Sequence, residues 1–117
     1  MNGTSNIQEE RGHIYFLHNF DKSGTMEGRN GATIQILEFM KKEPISEGST
    51  ELKLTMNGTT NEEVLRVMID RMEFLQEKMP CEENAGVIAN LRNSLELLNK
   101  RTQSRIEKGV EGTQIPA

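Results

Sequence analysis

Tryptophan is absent from the chain, tyrosine occurs once and phenylalanine four times, so no large aromatic cluster is available to anchor a core. Cysteine is equally scarce. Cys81 stands alone, which excludes an internal disulfide and agrees with a reducing compartment. No stretch reaches the roughly 18 apolar residues of a membrane span, and residues 1–12 lack the basic and apolar blocks of a secretory signal. The two histidines, His13 and His18, lie five apart in a strand-like run and so on opposite faces, and no sequence signal joins either to Cys81. Cysteine–histidine catalysis is left without partners. Metal-ligand spacings are missing, and the glycines at 24, 28 and 31 are not followed by the Lys-Ser/Thr pair of a Walker loop. The acidic pairs Glu62-Glu63 and Glu82-Glu83 fall where helix N-termini are expected, which accounts for them better than acid/base chemistry does.

What is present fits a small, sociable domain. With 117 residues, of which 34% are hydrophobic, the chain has room for one core, and a monomer would bury little apolar area against its conformational entropy. Self-association is the expectation. A net charge of -4 argues against a polymeric nucleic-acid partner, because binding through the phosphate backbone needs a broadly basic surface. The charge is unevenly placed, however. Residues 92–108 carry Arg92, Lys100, Arg101, Arg105 and Lys108 against Glu96 and Glu107, so that stretch is +3 and the remainder -7. A local basic patch suits a small anion. It also suits a helix C-terminus whose cations complement the macrodipole, and composition alone does not choose between the two.

Along the chain, residues 1–12 are polar with nothing to pack and read as a frayed tail. Residues 13–57 read as a small β-sheet domain. Its strands are expected at 13–20, 32–39 and 50–56, where β-prone and alternating residues recur, with a long Gly- and Asp-rich turn over 21–31 and a loop around Pro44 and Gly48. Together they predict a three-stranded antiparallel sheet. The period then changes. Thr60 followed by Glu63 is a capping box that opens a helix ending near Lys78, with Val64, Met68, Met72, Leu75 and Met79 as its apolar stripe and Leu65 and Ile69 alongside. Pro80 breaks that helix and opens the next, about 82–107, in which Ala85, Ile88, Leu91, Leu95, Leu98 and Thr102 form a heptad-type seam. Val87 and Leu97 widen its apolar surface toward a second subunit. Gly109 ends the helix, leaving 109–117 as a C-terminal motif and tail. The fold class is therefore α+β: a small N-terminal sheet followed by a helical hairpin, 58–108, that mediates oligomerisation.

The second half also carries binding groups. Phe74 offers a flat face for a base, Asn84 an amide for a base edge or ribose, and Arg101 and Arg105 guanidinium forks for phosphate oxygens. Each has an ordinary alternative, as core, first-turn residue or solvated face. Cys81 reads as a small apolar residue packed at the hairpin corner.

Three segments point further: Asn57-Gly58-Thr59-Thr60-Asn61-Glu62, Cys81-Glu82-Glu83-Asn84-Ala85, and Arg101-Thr102 through Gly109-Val110-Glu111-Gly112-Thr113. Over about residues 57–114 the chain resembles the phage Acb/Tad-type hairpin family, which counters bacterial nucleotide-signalling immunity. Its N-terminal strands resemble the Thoeris anti-defence branch rather than the shorter, hairpin-only anti-CBASS branch. The resemblance implies a non-enzymatic sponge with no cofactor, acting in the cytoplasm of an infected host and assembled as a dimer or hexamer. It implies ligands that are cyclic ADP-ribose isomers or cyclic di- and trinucleotides. Carried over residue by residue, it assigns the ADP-ribose type of site to Phe74, Asn84, Arg101 and Arg29, and the trinucleotide type to Arg105, Lys108, Gly109, Gly112 and Thr113. A competing expectation is a module that inhibits a host protein through the Met-rich face of Met68, Met72 and Met79.

Overall fold

The computed structural model describes residues 7–116. Four strands precede two helices: β1 (Ile14–His18), β2 (Ile34–Glu38), β3 (Lys41–Pro44), β4 (Leu52–Met56), α1 (Asn61–Lys78) and α2 (Glu82–Glu107). The α+β order is the expected one, and both helices occupy the expected segments. The sheet is not. β1 pairs with β2 and β3 with β4, giving two two-stranded sheets where the sequence predicted one of three strands. Lys41-Lys42-Glu43-Pro44 has no apolar alternation to announce a strand, yet it supplies β4 with its partner.

The described residues divide into two compact units, 7–41 with 55–59, and 42–54 with 60–116. In the first, β1 and β2 run antiparallel with Phe16 opposite Ile36 and Ile14 opposite Glu38, so Ile14, Phe16, Ile34 and Ile36 share the half-buried face. Tyr15 meets Phe39 edge to face, ring centroids 6.0 Å apart. Part of the expected frayed tail, residues 1–6, lies outside the described residues. Residues 9–12 are held: Glu10 and Ile14 exchange backbone bonds of 3.1 and 2.8 Å, the Gly12 N–H donates to Tyr15 Oη at 2.7 Å, and Lys41 Nζ pairs with Glu10 Oε1 at 2.7 Å. That ammonium holds the Glu10 carboxyl below its ordinary range, against a smaller opposing effect of burial.

The second unit is dominated by the helical hairpin. Thr60 Oγ1 accepts from the Glu63 N–H at 3.1 Å, the forward half of the capping box. The Glu63 carboxylate grips Arg66 instead of reaching back, at 2.9 and 2.7 Å. At the corner, the Gln76 amide is engaged from both ends, donating to Cys81 O at 3.1 Å and accepting from its N–H at 3.0 Å. Cys81 is exposed rather than packed, and its Sγ caps α2 by accepting from the Asn84 N–H at 3.4 Å.

The inward faces differ in detail from the sequence reading. On α2 Asn84, Ile88, Leu91, Leu95, Leu98, Thr102 and Arg105, spaced alternately four and three, are half-buried or buried, Ser104 is half-buried beside them, and Ala85 faces out. On α1 they include Val64, Leu65, Ile69, Met72 and Leu75, while Met68 and Met79 face out. Ile69, 7% exposed, is the buried apolar residue among the described ones; Arg105 is the buried polar one, at 6%. Val67, Phe74, Leu97 and Ile106 remain exposed, so one copy leaves much of its apolar surface to water.

Candidate ligand-binding site

α2 has 26 residues against 18 in α1, so its last two turns, about 12 Å, run on past the start of α1. This overhang is the basic stretch. Its end is closed by a Schellman turn in which the Gly109 N–H donates to Ile106 O and the Val110 N–H to Arg105 O, each at 3.0 Å. Gly109 has φ +71, and Gly112, two residues into the following turn, has φ +83; both lie where side chains with a Cβ are strained. The chain then folds back over the helix.

Arg105 organises that return. Its guanidinium donates to the carbonyls of Ile115 at 2.8 Å and of Val110 and Thr113 at 2.9 Å each. A buried charge is tolerated there because several backbone dipoles converge on it. The Thr113 hydroxyl donates to Val110 O at 2.6 Å and accepts from the Ile115 N–H at 3.2 Å. The segment is also tied to the strands of its own unit, with the Leu52 N–H on Gly112 O at 3.1 Å and the Gln114 N–H on Thr50 O at 2.8 Å. The sequence therefore combines two glycines, a threonine and an arginine into one self-satisfied cap.

Arg101 lies one turn before Arg105, exposed, and lines a cavity of about 330 Å³ with Ser104, Arg105 and Pro116. The structure thus brings together Arg101 and Arg105, which the resemblance assigned to different sites. Ser104 and Pro116 are additions that no motif signalled; Pro116 arrives only because the cap folds back. Of the remaining residues assigned to a trinucleotide site, Lys108 is exposed at the helix end, and the N–H groups of Gly109 and Thr113 are engaged inside the cap. The Gly112 N–H instead carries the Glu111 carboxylate at 3.1 Å, an anion where a phosphate oxygen would sit.

Phe74 and Asn84 stand at the other end of the hairpin. Phe74 is 48% exposed, with Lys78 Nζ 4.9 Å from its ring centroid, and it lines a groove of about 500 Å³ with Asp70, Glu73, Gln76, Glu77 and Ile88. Asn84 opens the α2 seam, half-buried. Seventeen residues of helix separate it from Arg101, about 25 Å. One subunit therefore does not bring Phe74 and Asn84 to Arg101. Arg29 belongs to the first unit, exposed in the short 3-10 turn Arg29–Gly31. Among the described residues no group of three or more His, Cys, Asp or Glu is placed to hold a metal ion, and no helix is long and apolar enough to cross a membrane.

No family model matches the chain. Over 58 residues it is 43% identical to Thoeris anti-defense 1 of Bacillus phage SBSphiJ7. This is the branch that the N-terminal strands resemble. The match covers 49% of this chain and 41% of the phage protein, so the chain spans less than half the length of that relative.

Proposed function

We propose that this chain is a phage anti-defence sponge that captures cyclic nucleotide immune messengers without breaking a bond. Cyclic ADP-ribose isomers of Thoeris are the first ligand class, and cyclic di- or trinucleotides of CBASS the second. The observation that carries the reading is the 43% identity to Thoeris anti-defense 1. The geometry supports it in a specific way: a base-stacking end and a phosphate-binding end lie about 25 Å apart on one helical hairpin, so a complete pocket takes Phe74 and Asn84 from one subunit and Arg101 from another. Oligomer and function are then one property, and a dimer is the smallest assembly that works.

Such a protein acts by mass action. Nanomolar capture corresponds to about -12 kcal/mol, which a small ligand reaches only when it is nearly enclosed. A two-subunit pocket encloses; the open groove on one hairpin does not. The test is mass spectrometry of small molecules released by heating from protein incubated with messenger made by a TIR enzyme or by a CBASS synthase. Intact messenger supports the sponge. A hydrolysed product identifies an enzyme instead, and an empty protein rejects the reading.

A second reading keeps the Met-rich face as a docking surface for a host protein. Met68 and Met79 are exposed, Met79 by 77%, although Met72 turns inward. Recovery of a defined host protein, with no nucleotide, would favour it.

A further inference from the structure

The groove around Phe74 is acidic, which is odd for a surface that is to receive an anion. Asp70, Glu73 and Glu77 all line it. Glu73 is neutralised by Arg92 across the hairpin. Among the described residues the carboxylates of Asp70 and Glu77 make no hydrogen bond or ion pair; Arg66, one turn before Asp70, attracts it without a direct contact, and Lys78 stands above the ring. At the far end of α2, Arg101 is exposed and likewise makes no hydrogen bond or ion pair among the described residues, within a stretch of net charge +3. The groove on α1 and the basic end of α2 are complementary in charge.

We propose that in the ligand-free assembly the carboxylates of Asp70 and Glu77 in one subunit hold Arg101 of a second copy, and that ligand phosphate takes their place. The proposal rests on the two-subunit reading above and adds a competitor to it. Guanidinium and carboxylate match as planar forks, so the pairing positions Arg101 before any ligand arrives. Both carboxylates sit at the rim of an open groove, where an ion pair contributes little and exchanges readily. A diphosphate brings more charge to the same fork and displaces it. Asp70 and Glu77 are thus positioning residues that set a threshold for capture, and the empty pocket is kept in register without a bound anion.

Two measurements test this separately from the sponge reading. Copies carrying Glu77→Cys are mixed with copies carrying Arg101→Cys, both on a Cys81→Ser background that keeps an α2 cap, and treated without ligand with a short bis-maleimide, because a Glu–Arg ion pair holds its Cα atoms roughly 10 Å apart, beyond the reach of a disulfide. A crosslink between unlike copies is expected; its absence from correctly folded protein overturns the juxtaposition, whether or not the unmodified chain binds anything. In the second, Asp70→Asn and Glu77→Gln are titrated with a cyclic ADP-ribose isomer made by a TIR enzyme. Affinity should rise about two- to fivefold for each, the scale of an exposed ion pair. Unchanged or weaker binding overturns the competitor role while the sponge reading stands; if the unmodified chain shows no binding, the sponge reading falls and the crosslinking result alone decides the contact.

Discussion

One guanidinium nitrogen of Arg105 reaches the carbonyl of Thr113 at 2.9 Å, eight residues further along the chain. The same nitrogen also serves Val110, so a single side chain joins the end of α2 to the turn beyond it. Arg105 and Arg101 are one helical turn apart and share a cavity, yet one is buried in the fold and the other open to a ligand.

Substituting each should separate the two roles. Arg105→Ala takes the guanidinium from the carbonyls of Thr113 and Ile115, and from that of Val110, which keeps its bonds from Thr113, and should cost about 2–3 kcal/mol in urea denaturation. Arg105→Lys should recover little, because a single ammonium does not reproduce the fork.

Arg101→Ala should leave stability within about 0.5 kcal/mol of the original, as exposed substitutions do, while capture of a cyclic ADP-ribose isomer is lost by calorimetry. Retained capture would remove Arg101 from the pocket.

Gly109→Ala isolates the backbone. Nothing lies within 4 Å of the Cβ it would add, so the penalty is the positive φ alone, about 1–2 kcal/mol. A lowered melting temperature with unchanged oligomeric state is expected.

Acid should weaken both units. Arg66 bonds hold the Glu63 carboxyl low, as Lys41 holds Glu10, and Asp21 is lowered by hydrogen bonds from Ser23. A carboxyl held below its unfolded value binds its proton later in the folded chain. The stabilisation is therefore full above the ordinary glutamate value of 4.5 and disappears as pH falls through the lowered values. Denaturation midpoints against pH should show this slope, and Glu63→Gln should flatten it.

How much of this could be read from residues alone varied with the kind of signal. The helices were legible because Thr60, Pro80 and Gly109 punctuate them and apolar residues recur at helical spacing. β3 was not, because a polar run ending in Pro44 shows no period. The first seam position was misplaced, at Ala85 instead of Asn84, while Ile88 to Thr102 fell where expected, because a polar residue at the first inward position defies a hydrophobicity argument. Arg105 was read as a phosphate ligand because a cation near a helix end looks the same in sequence whether it faces water or backbone carbonyls. Only the fold-back of 110–116 distinguishes them. Phe74, Asn84 and Arg101 offer binding chemistry in the sequence, but pattern alone did not show that Asn84 and Arg101 stand toward opposite ends of one helix.

The bonds from Leu52 to Gly112 and from Gln114 to Thr50 join segments that the whole helical hairpin separates in sequence. Local helix contacts form quickly, whereas so long a loop closes late. The tie from the tail to residues 50–52 should therefore latch last, after the local bonds of Arg105 to Val110, Thr113 and Ile115 have closed. Hydrogen exchange should find the amides of Leu52 and Gln114 among the last to become protected.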